Sequence, residues 1–185
     1  MEDKFQNKYR TQSNRLKNWD YSNAGYYSIT ICTKDKINYF GDIKSGEMQL
    51  SEIGVILERE WYKTPELRAD LSVVLHEFVI MPNHFHCIII LNEMDSNYSD
   101  TERHQSRDVR STSLQSASKN LSSIIRGLKS STTSKARKIN PDFGWQSNYY
   151  DHVIRNETSL YEIRKYIIEN PLKWELDEYN NSNPK

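Results

Sequence analysis

Val79-Ile80-Met81-Pro82-Asn83-His84-Phe85-His86-Cys87-Ile88-Ile89-Ile90-Leu91 is the stretch on which the fold turns. Its second half is an apolar, β-branched run, which reads as a strand. Side chains on a strand alternate faces, so His84 and His86 project together while Phe85 points the other way. Pro82-Asn83 is a turn signal. The β-rich segment Ser72–Met81 before it predicts an antiparallel partner. Two imidazoles on one strand face are half of a metal site, histidine being the commonest ligand. On spacing alone, a pair of structural histidines bonded to backbone groups has equal standing. A third ligand would have to come from elsewhere, and imidazole suits zinc, copper or iron better than magnesium. The metal stays open at this level.

Working outward, Tyr26–Cys32 reads as a first strand, and Gly41 and Gly46 mark turns. Ile53, Ile56, Leu57 and Trp61 recur at helical spacing across 52–62, with Pro65 expected to end that helix. From about 92 to 118 the chain is Ser, Asp, Arg, Gln and Asn with almost nothing apolar, which predicts a flexible insertion. Leu121–Leu128 carries one apolar stripe despite Gly127, and Trp145–Arg155 looks extended. The last helix is expected from near 156–159, where Ser159-Leu-Tyr-Glu162 has capping-box form, to Asn170-Pro171. The order β–α–β–β–α–β–α predicts an α+β sandwich, an antiparallel sheet with helices on one or both faces. Three regions follow: a basic arm at 1–20, a domain at 21–175 and a polar tail at 176–185.

A length of 185 residues fits one domain, and a formal net charge of zero argues against attachment to nucleic acid by bulk charge. Any such surface must come from local segregation of Lys and Arg. Cys32 and Cys87 lie in apolar runs and read as buried thiols of a reducing compartment. The charged start Met1-Glu2-Asp3-Lys4 shows no secretory signal, and no apolar run reaches the roughly 20 residues of a membrane span. A cytoplasmic location without membrane attachment is expected.

Two further features could carry chemistry. Tyr166 and Asn170 are four apart and share a helix face if the geometry holds to the end. Asn170 precedes Pro171, which biases it out of the helical region, so an ordinary cap residue beside a half-buried tyrosine is the simpler reading. The second is a run free of acidic residues containing Lys119, Arg126, Lys129, Lys135, Arg137 and Lys138. With its interleaved serines and threonines it could bind phosphate, or it could be a solvated helix face. Trp145, Tyr149 and Tyr150 follow closely and could stack on unpaired bases, or fill the core.

Several of these blocks resemble one family in order. Val79–His86 is similar to the His-hydrophobe-His signature of the HUH endonucleases. Its Met-Pro-Asn-His form is typical of small single-tyrosine transposases, the REP-associated (RAYT) branch of the IS-type enzymes. Trp145-Gln146 with Tyr150–Asn156 resembles a second block, in which Arg155 joins Trp145 and Tyr149 as an expected DNA contact, and Tyr166–Lys173 a third. Leu121–Lys129 and Asp20–Tyr27 also fit, so the likeness runs from about Asn14 to Trp174.

The resemblance implies a ferredoxin-like α+β fold with the histidines on a central strand. It implies Tyr166 as catalytic nucleophile, with His84, His86 and Asn170 holding a divalent ion, Mg2+ or Mn2+. The activity implied is single-strand DNA cleavage and strand transfer through a 5′-phosphotyrosine intermediate. Single-stranded or hairpin DNA is the implied partner, and a monomer is favoured over a homodimer. The insertion at 92–118 is the clearest departure. Rival readings are a non-cutting regulator of repeat elements, an HUH replication or relaxase-type nickase, and a zinc hydrolase. The nickase is disfavoured by the short chain, and the hydrolase by the lack of further ligands in standard spacing.

Overall fold

The computed structural model describes residues 19–92 and 120–180, together with the backbone of two short strands near the start. Those strands, β1 (Lys4–Phe5) and β2 (Lys8–Tyr9), pair antiparallel. Most of the expected basic arm and nearly all of the expected insertion lie outside the described residues.

Four strands form the main sheet: β3 (Gly25–Cys32), β6 (Val73–Ile80), β7 (His84–Leu91) and β8 (Tyr150–Ile154). Their order is β6-β7-β3-β8, antiparallel throughout. The histidine strand is therefore central, as its continuous apolar character requires. A small hairpin, β4 (Gly41–Lys44) and β5 (Glu47–Leu50), lies between β3 and the first helix. Its turn uses two positive φ values, Ser45 at 53° and Gly46 at 79°, the backbone twist that tight hairpins favour.

Helix α1 (Glu52–Tyr62) is capped by the Ser51 hydroxyl, which accepts from the Gly54 amide at 3.1 Å. Pro65 does not end it. The proline sits in the first turn of a short second helix, α2 (Thr64–Leu67), where a missing N–H costs nothing. Helix α3 (Leu121–Ala136) runs two turns beyond the expected Leu128. Gly127 lies within it, at an entropic cost of about 1 kcal/mol relative to alanine that a helix of this length absorbs. Helix α4 (Glu157–Glu169) starts at Asn156, whose side chain accepts from the Ser159 amide at 2.8 Å. The Ser159 capping box is thus inside the helix rather than at its start, since Asn is as good a cap and comes first.

The alternation of β7 separates two layers. Phe85, Cys87, Ile89 and Leu91 join Tyr27, Ile29 and Ile31 in a large core with α1 and α3. Trp61 from α1 meets Phe85 edge-on, ring centroids 5.1 Å apart. The opposite face carries a thinner core in which Ile88 and Ile154 meet Ile167 of α4, flanked by Val79, Leu160 and Ile163. A bulge in β6 between Leu75 and Phe78 presents Glu77, which pairs with Arg164 of α4, Nε to Oε1 at 2.6 Å. Helices therefore cover both faces. Both cysteines are free and buried, and burial pushes the Cys32 thiol up to about 11. Among the described residues no helix is long and apolar enough to cross a membrane.

Candidate active site

The β6–β7 turn fixes the histidines. The Met81 amide donates to the His84 carbonyl at 2.8 Å, and the Asn83 carbonyl accepts from the Thr33 amide at 2.8 Å. Asn83 is buried, and its Nδ2 donates to the carbonyls of Lys36 at 3.0 Å and Tyr179 at 2.8 Å. Two carbonyl acceptors fix the amide's orientation, so Asn83 Oδ1 faces His84 Nδ1, 2.9 Å away. That nitrogen must be the donor. His84 Nε2 then carries the lone pair, and it is buried without a hydrogen-bond partner. A ligating histidine is prepared in this way, with its other ring nitrogen donating to a fixed acceptor.

His86 lies beside it, ring centroids 4.6 Å apart. Its Nδ1 is 2.8 Å from the Thr30 hydroxyl, and its Nε2 is 3.3 Å from the Tyr166 hydroxyl. Burial holds His86 down to about 4. Burial also holds His84 well below the usual imidazole range, with His86 and Lys36 adding to the effect. Both rings are neutral near pH 7, the form that binds metals.

Tyr166 and Asn170 arrive on α4. Contrary to the bias expected before Pro171, Asn170 keeps helical angles (φ −57°, ψ −43°), and the chain continues as a 3-10 turn over Asn170–Leu176. Pro171 fits the first turn of that segment, and the burial of Asn170 outweighs a local preference. The i, i+4 relation to Tyr166 therefore holds. Asn170 Oδ1 is a second buried acceptor without a partner. Burial raises the Tyr166 pKa and the charges of Asp177 and Glu178 raise it further, while a hydrogen bond with Asn170 opposes them.

Sequence reasoning missed the segment that follows. Residues 176–180, expected as part of a polar tail, fold back over the histidines. The Tyr179 ring lies 4.6 Å from that of His84, and the Lys36 ammonium lies 4.7 Å from the centroid of the Tyr179 ring. Asp177 Oδ2 is 4.0 Å from His84 Nε2, its side chain almost fully buried. Burial raises the Asp177 pKa, against hydrogen bonds from Tyr179 and Asn170. No periodicity marks Asp177-Glu178-Tyr179 as anything but a polar stretch.

The residues expected to bind DNA are not gathered at this site. Helix α3 packs on the opposite face of the sheet from the histidines. Lys129 Nζ turns inward to the carbonyls of Gln146 at 2.6 Å and Asn148 at 3.1 Å, and burial lowers its pKa to about 8. Lys135 pairs with the buried carboxylate of Glu60, and Arg137 Nε donates to the Phe143 carbonyl at 3.0 Å. Arg126 and Lys138 are exposed, and Lys119 lies outside the described residues. Trp145 packs on Phe40 and Phe143 and donates to the Lys129 carbonyl at 3.1 Å. Tyr149 reaches the Ser122 hydroxyl at 3.2 Å, and Arg155 stacks 5.6 Å over the Trp19 ring.

No cluster of three His, Cys, Asp or Glu side chains arranged to hold a metal occurs among the described residues. The oxygens that could complete a ligand set with the two imidazoles are the Asn170 amide on α4 and Asp177 Oδ2, 4.0 Å from His84 Nε2. His84 Nε2 and Asn170 Oδ1, both buried acceptors without hydrogen-bond partners, have the chemistry to ligate a cation.

Comparison with known proteins places the fold. A REP-associated tyrosine transposase solved with a REP hairpin bound aligns over 86% of this chain and 74% of its own, with a TM-score of 0.57 and 19% identity. The fold is thus α+β, a ferredoxin-like four-stranded antiparallel sheet with packed helices, shared with that transposase. A candidate transposase of Deinococcus radiodurans aligns at a TM-score of only 0.41 and 13% identity, over 85% of this chain and 96% of its own. No family model matches the sequence. The chain belongs to the same family as an uncharacterized protein of Haemophilus influenzae, 39% identical over 170 residues that cover 90% of this chain and 91% of the relative.

Proposed function

We propose that this protein is a metal-dependent single-strand DNA nicking and strand-transfer enzyme of the tyrosine transposase type, acting on single-stranded or hairpin DNA. The observation that carries the reading is the Tyr166 hydroxyl 3.3 Å from His86 Nε2, beside two buried acceptors left without partners. All of these groups come from one chain, so the site needs no second copy, in keeping with a monomer.

His84 Nε2, His86 Nε2 and Asn170 Oδ1 are the atoms that would hold a divalent ion, Mg2+ or Mn2+. Bound there, the ion supplies charge to a phosphate oxygen and favours the ionised phenol. That help is needed, because burial and nearby carboxylates hold the Tyr166 hydroxyl above its ordinary pKa. The Tyr166 oxygen attacks phosphorus in line: the P–Oη bond forms and the P–O3′ bond breaks. The phenol proton leaves to water in the open cleft, and the departing 3′-oxygen takes a proton from the same source. A 5′-phosphotyrosine and a free 3′-hydroxyl result. The link keeps the energy of the phosphodiester, so another 3′-hydroxyl can reverse the step on a new strand.

Tyr166→Phe tests the reading. The variant is expected to form no covalent adduct with single-stranded oligonucleotides on denaturing gels while binding them nearly as well as the parent chain. Adducts that persist in the variant would remove Tyr166 from the mechanism.

A further inference from the structure

The sheet face that carries the histidines also carries a trough that extends from Tyr166 and His86 to residues the chemistry above does not use. Across the sheet, Thr30 of β3 lies opposite His86 on one side and Tyr150 on the other. Ser28 likewise lies between Ile88 and His152. Directly paired residues share a face, so two small hydroxyl residues form a low floor between larger neighbours. Helix α4 makes the second wall with Ser159, Glu162 and Tyr166, three to four residues apart along one helix face. The resulting cleft has a volume of about 660 Å³ and ends at Tyr166 and His86. Strand β8 is the edge of the sheet, so the trough is open along that side.

The chemistry of the walls selects the occupant. Among the described residues no lysine or arginine lines the cleft, while the carboxylates Glu162 and Glu178 do. Away from the end where the histidines would hold an ion, such a lining offers a phosphate chain no counter-charge. It suits a neutral, flat group with hydrogen-bonding edges. Tyr150 is 54% exposed, and His152 is exposed beside it on the edge strand. Neither belongs to a core cluster.

We infer that this trough receives an unpaired nucleobase of the strand being cut, next to the reacting phosphate, with Tyr150 and His152 as its stacking surfaces. The inference rests on the nuclease reading above and adds a binding subsite to it. Stacking of one base on an aromatic side chain is worth roughly 5- to 150-fold in affinity. The phosphates on either side lie outside the acidic trough.

Abasic scanning tests it. A single abasic sugar is moved through the nucleotides flanking the cleavage point, with adduct formation and fluorescence-anisotropy binding as readouts. One position is expected to lose roughly 10- to 100-fold in binding. In Tyr150→Ala/His152→Ala, the intact oligonucleotide should bind no better than the abasic one, the two agreeing within about twofold on the same scale. Tyr150→Phe, which keeps the ring, should retain the discrimination and guards against a merely unfolded variant. Adducts with a flat scan, or discrimination that survives in the double variant, overturn the subsite and leave the nuclease reading standing. Absence of adducts from every single-stranded oligonucleotide overturns both.

Discussion

At the scale of single residues, Asn83 decides more than its neighbours reveal. A histidine pair on a strand has two tautomers per ring, and only one choice presents Nε2 as a lone pair. Asn83 fixes that choice for His84 by committing its own Nδ2 to the carbonyls of Lys36 and Tyr179. The Pro82-Asn83 dipeptide, read first as a turn, is therefore also the orienting shell of the site. Asn83→Ala removes the acceptor at His84 Nδ1 and frees the ring to take either tautomer. Isothermal titration with Mn2+ should show affinity about 10- to 100-fold weaker, the usual cost of losing such an outer partner. Unchanged affinity would mean that His84 does not hold the ion through Nε2.

At the scale of elements, α3 shows how a charge run can mislead. Its lysines and arginines were candidates for phosphate contact, yet Lys129, Lys135 and Arg137 make intramolecular contacts. The clearest is Lys135, whose ammonium meets Glu60, a carboxylate 4% exposed on α1. Lys63 also approaches Glu60, at 3.6 Å. Lys135 itself remains 44% exposed, so the pair is worth less than a fully buried one. Lys135→Met should cost about 1–2 kcal/mol in a urea melt, between the surface and buried limits. The salt dependence of DNA binding should not change. A flatter salt slope at unaltered stability would return Lys135 to the DNA surface.

Helix α4 is held differently. Ile167, Ile88 and Ile154 are the buried members of its interface, reinforced by Glu77–Arg164. Each such side chain contributes about 1.5–3 kcal/mol by burial. That thin contact sets the position of Tyr166, one residue before Ile167. The exposed and buried faces of a single helical turn thus carry the chemistry and its anchor.

At the scale of the whole molecule, two neutral imidazoles packed in the interior tie stability to pH. The unfolded chain binds a proton at each near pH 6.5. In the native state His86 does so only at about 4, and His84 is also lowered well below 6.5. Below 6.5 the unfolded state therefore holds more protons, so stability rises with pH in this window. The contribution is complete above about 6.5 and is lost as pH falls toward 4. Urea midpoints measured in chelator should drop across that window, and His84→Gln/His86→Gln should flatten the drop. A midpoint constant from pH 6.5 to 4.5 would show that water reaches both rings.

Much of this architecture was legible without coordinates because it rests on local rules. Period-two alternation placed the two histidines on one face and Phe85 on the other, and the Pro82-Asn83 turn made their strand a hairpin partner of 72–81. Four-residue spacing brought Tyr166 and Asn170 to one side of α4. The errors were local rules overruled by packing: Pro65 beginning a helix rather than ending one, Asn170 staying helical before a proline, and α3 continuing past Leu128 to Ala136.

Three things were decided only in three dimensions. One is which face of the sheet α4 covers, and hence that the phenol meets the imidazoles within one chain. Another is the return of Asp177 and Tyr179 onto His84, which no pattern in a short polar segment announces. The last is the pairing of α3's cations with carbonyls and Glu60, far away in the sequence. Periodicity reports which side chains share a face; what that face meets depends on contacts between segments distant along the chain, and those are settled by packing.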